Sequence, residues 1–305
     1  MELPTPLEAA PESLRTEDGR ALYCKREDVH ELGAFKWRGA LPTIEKYKSE
    51  GASAVVTAST GNHGAAVAWA CQRVGLRAMV YAPAGASLAK LALIDRLGAE
   101  IRLIGTDLDF AKDEGKRFAS ESRVPFFEDG CEATQLDGYG VIADEILDQL
   151  GAHPAAVVVP VGNGALIGGI GRTLRRRAPE TQVVGVVSKD APVMALCYDA
   201  GGPVGYDPMA TFADGLAVRV AIPAAVEVVN ANTDRMLRVS ERAIAEGVGG
   251  YARAGIRAEG AAGAALAALP QLADVEGTIV LVVTGRNIDD ALHRRAVEQP
   301  ETFPS

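Results

Sequence analysis

The sequence predicts an α/β protein in which mostly parallel sheets are flanked by helices. Short runs of β-branched residues alternate along the chain with longer alanine-rich stretches of helical period. A repeated strand–turn–helix order is typical of strands that pair in parallel. The 305 residues are 48% hydrophobic, which is enough apolar material to bury the cores of two compact lobes.

The first series of elements lies between residues 53 and 127. We predict strands at 53–56, 78–81, 101–104 and 125–127. Helices are predicted at 63–75, from a cap at Ser87 to residue 98, and from a cap at Thr106 or Asp107 to residue 122. This alternation predicts one parallel sheet with helices on both faces.

The second series begins with an amphipathic stretch at 139–150. Further strands are predicted at 155–159, 182–187, 236–239 and 279–283, and helices at 165–177, 241–246 and 259–269. The stretch 189–221 has little periodicity and is predicted as mixed loops. The two series together predict two α/β lobes.

The composition excludes several classes of function. The formal net charge is −9, so we expect neither a nucleic-acid partner nor a membrane partner, since nucleic acids and anionic membranes favour a basic face. The four cysteines are widely spaced and form no Cys-x-x-Cys pair, which favours reduced thiols over disulfides or a zinc site. The first residues do not resemble a signal peptide, and the longest apolar runs have strand length. We therefore predict a cytoplasmic protein and assign no metal ligands. Dependence on a cation stays open, and the carboxylates of Asp214 and Glu259 are as compatible with a solvated or capping role as with cation binding.

A lysine between two aromatic residues is the first candidate for chemistry. Lys36 lies between Phe35 and Trp37 at the predicted start of a helix. An apolar setting disfavours the charged ammonium, and a neutral amine is what Schiff-base chemistry requires. A surface lysine whose stem covers apolar neighbours has the same local sequence. This segment by itself leaves both interpretations open.

A hydroxyl-rich segment at 57–64 follows a predicted strand and begins a helix. Hydroxyl and backbone N–H groups at a helix N-terminus can bind an anion such as a substrate carboxylate. Thr60 and Asn62 would also serve as ordinary helix caps. The segment therefore indicates either an anion site or a cap.

A glycine-rich turn, Gly162-Asn163-Gly164, joins a predicted buried strand to the helix at 165–177. Its backbone amides can converge on a phosphate, and the helix dipole adds to the attraction. A Gly-x-Gly turn after a strand is also compatible with dinucleotide binding, for which Asp190 would be the ribose-binding acid. Both interpretations stay open on this segment alone.

The last candidate segment is the strand at 279–283, which ends in Thr284. Residues at the carboxyl end of a parallel strand face the crevice where ligands bind in α/β proteins. An ordinary strand-to-helix turn is the alternative, and nothing in this segment decides between them.

Taken together and in this order, the four segments resemble the fold-type II pyridoxal-phosphate (PLP) enzymes, in particular the branch of serine/threonine dehydratases (ammonia-lyases) and serine racemases. The family pattern is Ser-Phe-Lys-x-Arg-Gly-Ala, then Ser-x-Gly-Asn-His-Gly, a glycine-rich phosphate loop, and a Ser or Thr on a late strand. The corresponding segments here are 34–40, 59–64, 162–166 and Thr284, and 211–218 resembles a further family stretch. The resemblance covers nearly the whole chain.

The resemblance implies a two-lobed fold like that of the tryptophan synthase β subunit, in which each lobe is a mostly parallel sheet flanked by helices. A small α/β domain at 49–132 would be inserted into a large PLP-binding domain formed by 1–48 and 133–305. The resemblance also implies a homodimer.

The resemblance further assigns cofactor roles to individual residues. Lys36 would carry PLP as a Schiff base and, once released, would shuttle the α-proton, and Phe35 would lie beside the cofactor. Asn62 would bond to the ring O3′. Thr284 would face the pyridine nitrogen with a neutral hydroxyl and leave that nitrogen largely unprotonated. The phosphate would be held by five backbone amides, those of Gly162, Asn163, Gly164, Ala165 and Leu166.

The substrate carboxylate would be bound at the second segment, by Ser59, Thr60, Gly61, Asn62 and His63. Three places depart from the family pattern: Ala34 replaces the usual serine, Asn163 and Ala165 stand where relatives favour glycine, and Thr60 is unusual. In the racemase a serine at the Thr60 position is an acid/base on the cofactor face opposite the lysine, whereas dehydratases commonly have alanine. Thr60 is therefore a second catalytic candidate.

The expected activity is β-elimination from a β-hydroxy amino acid such as L-threonine or L-serine, giving a 2-oxo acid and ammonia. Racemisation of an amino acid and β-replacement are alternatives within the same fold. A nicotinamide-dependent oxidoreductase is the alternative from another class, but it leaves Lys36 and the segment 59–64 without a role.

Overall fold

The computed structural model describes residues 3–14, 19–86, 88–206 and 210–305. The chain divides into two compact units: a first unit, Met1–Phe35 with Tyr139–Ser305, and a second unit, Lys36–Gly138. The boundaries expected from the resemblance, 48/49 and 132/133, place residues 36–48 and 133–138 in the large domain, whereas the compact division places them in the second unit. The domain boundaries stay a prediction.

The strands form where β-branched runs occur in the sequence. In chain order they are β1 (Leu7–Ala9), β2 (Leu22–Arg26), β3 (Ala54–Ala58), β4 (Arg77–Ala82), β5 (Glu100–Leu103), β6 (Ala156–Pro160), β7 (Gln182–Ser188), β8 (Arg235–Val239) and β9 (Ile279–Val283). The prediction of an α/β fold with mostly parallel sheets is confirmed.

The helices occupy the alanine-rich stretches between the strands. They are α1 (Trp37–Ser49), α2 (Asn62–Val74), α3 (Leu88–Arg96), α4 (Leu108–Ser122), α5 (Ala133–Leu150), α6 (Ala165–Arg177), α7 (Val193–Ala200), α8 (Pro223–Asn232), α9 (Glu241–Arg253), α10 (Gly260–Ala267) and α11 (Asp290–Glu298). In the described part of the chain, none of them combines the length and hydropathy needed to cross a membrane.

The first unit contains a six-stranded sheet of order β1-β2-β9-β6-β7-β8. Strand β1 is antiparallel to β2, and the other neighbouring strands are parallel. Strands β6 and β9 are buried at every position, which explains their uninterrupted apolar sequences. Because β6 pairs with β9 in parallel, the glycine turn after β6 and Thr284 after β9 lie at the same edge of the sheet.

The second unit contains the parallel sheet β3-β4-β5. Helix α2 packs against β3 and β4 and against α1. Gly64, in the first turn of α2, makes this packing close, because a Cβ there would lie 2.9 Å from Cδ1 of Ile94 and 3.2 Å from Cβ of Ser59. The start of α2 is therefore held tightly at the carboxyl end of β3.

Some predicted elements differ from the structure. Residues 125–127 form a single bridge, Val56 to Phe126, rather than a strand, and Pro125 cannot donate to a ladder. The predicted loop 189–221 contains α7, whose sequence is apolar on nearly every side and so lacks a helical period. Asp107, not Thr106, caps α4 by accepting from the Phe110 N–H. Ser87, the predicted cap of α3, lies outside the described residues.

Candidate functional site

Lys36 lies immediately before α1, and its carbonyl oxygen accepts a hydrogen bond from the Ala40 N–H at 3.1 Å. Its Nζ donates to Oδ2 of Asp129 at 2.6 Å. The side chains of Lys36 and Asp129 are 15% and 26% exposed. The helix start thus delivers the lysine amine to a half-buried carboxylate of the same unit.

Asp129 is the centre of a polar cluster in the second unit. Gln135 Nε2 donates to Oδ1 of Asp129 at 2.7 Å, and the Gly130 N–H donates to Oε1 of Gln135 at 2.7 Å. His63 Nδ1 lies 3.6 Å from the same Oδ1. Burial raises the pKa of the Asp129 carboxyl. The combined effect of Lys36, His63 and Gln135 lowers that pKa by more than burial raises it, so the pKa lies well below its ordinary value. Asp129 is therefore ionised at neutral pH.

The His63 ring is buried within this cluster. Its Nε2 lies 3.1 Å from Oγ1 of Thr57 and 3.4 Å from the carbonyl oxygen of Phe127. Burial is the main cause that lowers the pKa of His63, and the Lys36 charge adds to it, against the opposing effects of Asp129 and Phe127. The imidazole is therefore neutral near pH 7, and any anion bound here would meet a neutral ring.

The segment between β3 and α2 leads into a solvent-accessible helix N-terminus. The Ser59 N–H donates to the Tyr81 carbonyl oxygen at 3.0 Å, and the Ser59 hydroxyl accepts from the Gly61 N–H at 3.2 Å. Gly61 is exposed, and Thr60 and Asn62 are partly exposed. The first-turn amides of α2 have no acceptor within their helix, as at any helix N-terminus. Because Asp129 contacts both Lys36 and His63, the lysine amine and this helix start belong to one cluster.

In the first unit, the turn after β6 leads directly into the N-terminus of α6. Gly164 has φ +90°, and a Cβ there would lie 2.5 Å from Val229. A Cβ on Gly162 would lie 2.4 Å from the carbonyl oxygen of Gly215, so both glycines are required by close approach. Oδ1 of Asn163 accepts from the Ala165 N–H at 3.1 Å. The loop presents backbone amides and a helix dipole, the donor set that a phosphate needs.

Thr284 follows β9 and is buried. Its Oγ1 donates to Oε1 of Glu259 at 3.0 Å, and Glu259 is itself only 3% exposed. The Glu259 N–H donates to the Gly285 carbonyl oxygen at 2.9 Å, which fixes the glutamate backbone beside the threonine. The threonine hydroxyl is thus paired with a buried carboxylate of the same unit.

The loop after β9 also holds the backbone that precedes Lys36. The Phe35 N–H donates to the Thr284 carbonyl oxygen at 3.1 Å, and the Arg286 N–H donates to the Gly33 carbonyl oxygen at 2.8 Å. The Arg286 guanidinium donates to the Asp28 carbonyl oxygen at 2.6 Å. Phe35 is the last residue of the segment Met1–Phe35 and directly precedes Lys36 in the chain. Its hydrogen bond to Thr284 therefore holds the end of that segment beside β9, within the first unit.

The sequence matches the family model described as pyridoxal-phosphate dependent enzyme over residues 1–285. The chain belongs to the pyridoxal-phosphate dependent enzymes. Its cofactor is PLP, and the nicotinamide-dependent interpretation of the glycine turn is set aside.

Several relatives resemble most of the chain. A biosynthetic L-threonine dehydratase of Lactococcus lactis is 32% identical over 295 residues, which cover 93% of this chain and 71% of that protein. An L-threonine ammonia-lyase of Thermotoga maritima is 33% identical over 274 residues, which cover 89% of this chain and 68% of that protein. The solved structure of the processed form of threonine deaminase isoform 2 from Solanum lycopersicum has a TM-score of 0.91 and 29% identity, over 97% of this chain and 88% of that chain. Maize serine racemase shares the fold, with a TM-score of 0.89 at 24% identity over 98% of this chain and 93% of that chain.

The residues present fit this cofactor. The loop at 162–166 has amides and a helix N-terminus for the phosphate, and Lys36 has an amine for the aldehyde. Lys36 and the segment 59–63 lie in the second unit, and Phe35, the loop 162–166 and Thr284 lie in the first. The individual roles expected for these residues stay predictions.

The structure adds two side chains that sequence analysis did not identify, Asp129 and Gln135, and it pairs Glu259 with Thr284, a contact that was not predicted. No motif surrounds any of them, and each joins the candidate site through a partner distant in sequence. A buried carboxylate beside a motif residue is visible only once the chain has folded.

Proposed function

We propose that this enzyme is a PLP-dependent ammonia-lyase that eliminates the β-hydroxyl group from L-threonine, L-serine or a similar β-hydroxy amino acid. The products are a 2-oxo acid and ammonia. The observation that carries the proposal is the cluster around Asp129, where the Lys36 amine and the first turn of α2 lie together. A base and an anion-binding helix start are what removal of an α-proton from an amino acid requires. The names of the threonine dehydratase and ammonia-lyase relatives support the choice of reaction.

The proposed binding roles follow from the chemistry of the groups. Lys36 would hold the cofactor covalently through Nζ, the amides of the loop 162–166 would bind its phosphate, and Phe35 would lie beside it. Asn62 would donate to the ring oxygen O3′, and Thr284 would contact the ring nitrogen. The substrate carboxylate would accept hydrogen bonds at the start of α2 from Ser59, Thr60, Gly61, Asn62 and His63.

When bound, PLP supplies an electron sink for the negative charge that develops at Cα of the amino acid. Lys36 Nζ would act as the base that removes the α-proton of the bound substrate. The carboxylate of Asp129, 2.6 Å from Nζ, accepts a hydrogen bond from the resulting ammonium and keeps Nζ in position. The leaving hydroxyl would take up the proton held by the Lys36 ammonium and depart as water, which returns Lys36 to its neutral amine. The released enamine then reacts with water to give the 2-oxo acid and ammonia.

A homodimer and a cytoplasmic location are also proposed, on the resemblance to the family and the spacing of the cysteines. Sedimentation equilibrium over a range of protein concentrations tests the dimer. A single species with the mass of one chain would contradict it.

The test of the activity is release of 2-oxo acid from L-serine, L-threonine, D-serine, 3-hydroxyaspartate and phenylserine. We expect turnover of at least one of these substrates, with complete loss in Lys36→Ala. Lys46→Ala is the matched control, because Lys46 lies on α1, the helix that Lys36 directly precedes, is 41% exposed and pairs with Glu132. Lys46→Ala should retain turnover.

The other outcomes separate the alternatives. An intact PLP absorbance band without turnover of any substrate would favour racemisation or β-replacement, and would refute the proposed elimination. Absence of both turnover and a PLP band would contradict the role of Lys36 as well.

A further inference from the structure

Asp129 places a negative charge beside the groups that would bind an amino acid. Its Oδ2 lies 2.6 Å from Nζ of Lys36, and its Oδ1 lies 3.6 Å from Nδ1 of His63, a residue in the first turn of α2. Burial raises the pKa of this carboxyl, but Lys36, His63 and Gln135 lower that pKa by more, so the group is ionised at neutral pH. All of these residues belong to the second unit.

Two of these neighbours hold Asp129 without balancing its charge. Nε2 of Gln135 donates to Oδ1 at 2.7 Å, and an amide is neutral. Burial is the main cause that lowers the pKa of His63, so its ring is neutral near pH 7. Of these three neighbours, only Lys36 provides a cation.

The contact with Lys36 shows which kind of group the carboxylate can bind. Nζ is a primary amine at the end of a methylene chain, and the amine on Cβ of a 2,3-diamino acid is the same chemical group. The Asp129 side chain is 26% exposed, so a small ligand can reach it. An ammonium group has three N–H donors, whereas a nitrogen joined to a carbon by a double bond has at most one. If Lys36 forms the proposed Schiff base, Asp129 can therefore accept from a second ammonium group.

We propose that Asp129 is a specificity-determining residue that binds a positively charged β-substituent, so that the same site eliminates ammonia from a 2,3-diamino acid. The inference rests on the proposed function, because it uses the same base and the same carboxylate-binding helix start. A charge-assisted hydrogen bond to Asp129 favours an ammonium group over a hydroxyl. A second carboxylate on the substrate is disfavoured, since like charges repel at this distance.

The reaction balances without an additional acid. Lys36 Nζ takes the α-proton, and the electrons of that C–H bond form the bond between Cα and Cβ. The Cβ–N bond breaks, and its electron pair leaves with the nitrogen as neutral ammonia. The positive charge lost from this nitrogen reappears on Lys36, which has become an ammonium group beside Asp129. Water then converts the released enamine to a 2-oxo acid and a second ammonia, so Asp129 has a cationic neighbour before and after the elimination.

The first measurement is the release of 2-oxo acid from both enantiomers of 2,3-diaminopropionate, compared with L-serine and 3-hydroxyaspartate. In the wild type we expect a higher kcat/KM for one enantiomer of 2,3-diaminopropionate than for L-serine, and the lowest value for 3-hydroxyaspartate. Asp129→Asn keeps an oxygen that accepts from the Gln135 amide but removes the charge. In this variant the kcat/KM for 2,3-diaminopropionate, relative to that for L-serine, should fall by roughly tenfold or more, as for a lost hydrogen bond to a charged group.

Glu128→Gln is the matched control. Glu128 directly precedes Asp129, and its carboxylate pairs with both Lys112 and Lys116. The replacement removes one negative charge from the same segment without changing the Asp129 carboxylate. It should keep the wild-type ratio of the two kcat/KM values.

A binding measurement separates charge recognition from turnover. L-2,4-diaminobutyrate carries its second amine on Cγ and so has no leaving group on Cβ, and L-2-aminobutyrate lacks that amine. Fluorescence of the two tryptophans reports binding, because Trp37 directly follows Lys36 and Trp69 lies on α2. We expect a lower dissociation constant for L-2,4-diaminobutyrate in the wild type, and loss of this difference in Asp129→Asn. If the variant does not fold, equal or weaker binding of L-2,4-diaminobutyrate by the wild type still overturns the inference.

The outcomes distinguish this inference from the proposed function. Turnover of L-serine or L-threonine without turnover of 2,3-diaminopropionate would overturn the inference and leave the proposed function standing. An unchanged ratio in Asp129→Asn would overturn the role of Asp129. Turnover of 2,3-diaminopropionate alone would support the inference and contradict the choice of a β-hydroxy substrate. Absence of turnover of every substrate would contradict both.

Discussion

The replacement Gly285→Ala tests the packing that supports Thr284. An alanine Cβ would lie 2.8 Å from Oε2 and 2.9 Å from Oε1 and Cδ of Glu259, whereas ordinary contacts are 3.4–4 Å. The carboxylate must therefore move by roughly 0.5 Å to relieve the overlap. Because the Glu259 backbone is tied to the Gly285 carbonyl oxygen, this movement lengthens the 3.0 Å bond to Thr284 toward the limit of a hydrogen bond.

Two effects determine the magnitude. Overpacking of a buried site costs about 1–3 kcal/mol. A weakened hydrogen bond to a charged group costs up to about 1.5–3 kcal/mol. The two costs are not additive, because the shift of the carboxylate that weakens the hydrogen bond also relieves the overpacking. We therefore expect Gly285→Ala to lower the free energy of unfolding of the first unit by about 2–4 kcal/mol. Gly205→Ala is the control, because a Cβ there meets no atom within 4 Å, and its effect should stay within about 0.5 kcal/mol.

The assay must report on the first unit alone. The two tryptophans, Trp37 and Trp69, both lie in the second unit, so their fluorescence in urea provides an internal reference. Hydrogen exchange of the amides of β9 at increasing urea reports the stability of the first unit. If β9 in Gly285→Ala exchanges as it does in Gly205→Ala, the reasoning about this packing is refuted.

Three other predictions use different parts of the molecule. The pKa of Asp129 is lowered in the folded chain, so the stability that its charge contributes is present above the ordinary carboxyl pKa of about 4 and is lost as the pH falls. Urea midpoints measured at decreasing pH should therefore fall less for Asp129→Asn than for the wild type, and equal falls would contradict this. Thr60→Ala should keep 2-oxo acid release and lose any racemisation, measured by chiral chromatography of the remaining serine, whereas loss of elimination would reject the assigned role. Burial raises the pKa of the Cys24 and Cys71 thiols to about 12, so a thiol reagent at about pH 8 should label the exposed Cys131 fast and these two cysteines slowly. If Cys131→Ser is still labelled fast, this prediction is wrong.

The sequence predicts best the elements whose signal is local. The helix at 165–177 and the strand at 279–283 have the bounds that were predicted. Each is marked at its start or end by glycine, and the strand is an uninterrupted apolar run. The roles of the motif residues came from a resemblance that spans the chain, because no single segment decided between its alternatives.

Signals that depend on packing were missed or misinterpreted. The helix predicted at 241–246 continues to Arg253, through three glycines that by local propensity would end it. One of them, Gly247, lies so close to α10 that a Cβ would be 2.2 Å from the carbonyl oxygen of Gly263. Close helix packing outweighs the low helical propensity of glycine there, and the sequence of α9 alone contains no sign of it.

The electrostatic partners of the site are the part that no motif could reveal. Asp129 is 93 residues from Lys36, and Glu259 is 25 residues from Thr284. A buried carboxylate without a partner is costly, so each must have a donor or a positive charge at every stage of a reaction. If Lys36 forms the proposed Schiff base, Asp129 keeps the donor group of Gln135, and Glu259 keeps the hydroxyl donor of Thr284. We therefore expect the motif residues to carry the proposed chemistry, and Asp129 and Glu259 to hold the side chains of Lys36 and Thr284 in position.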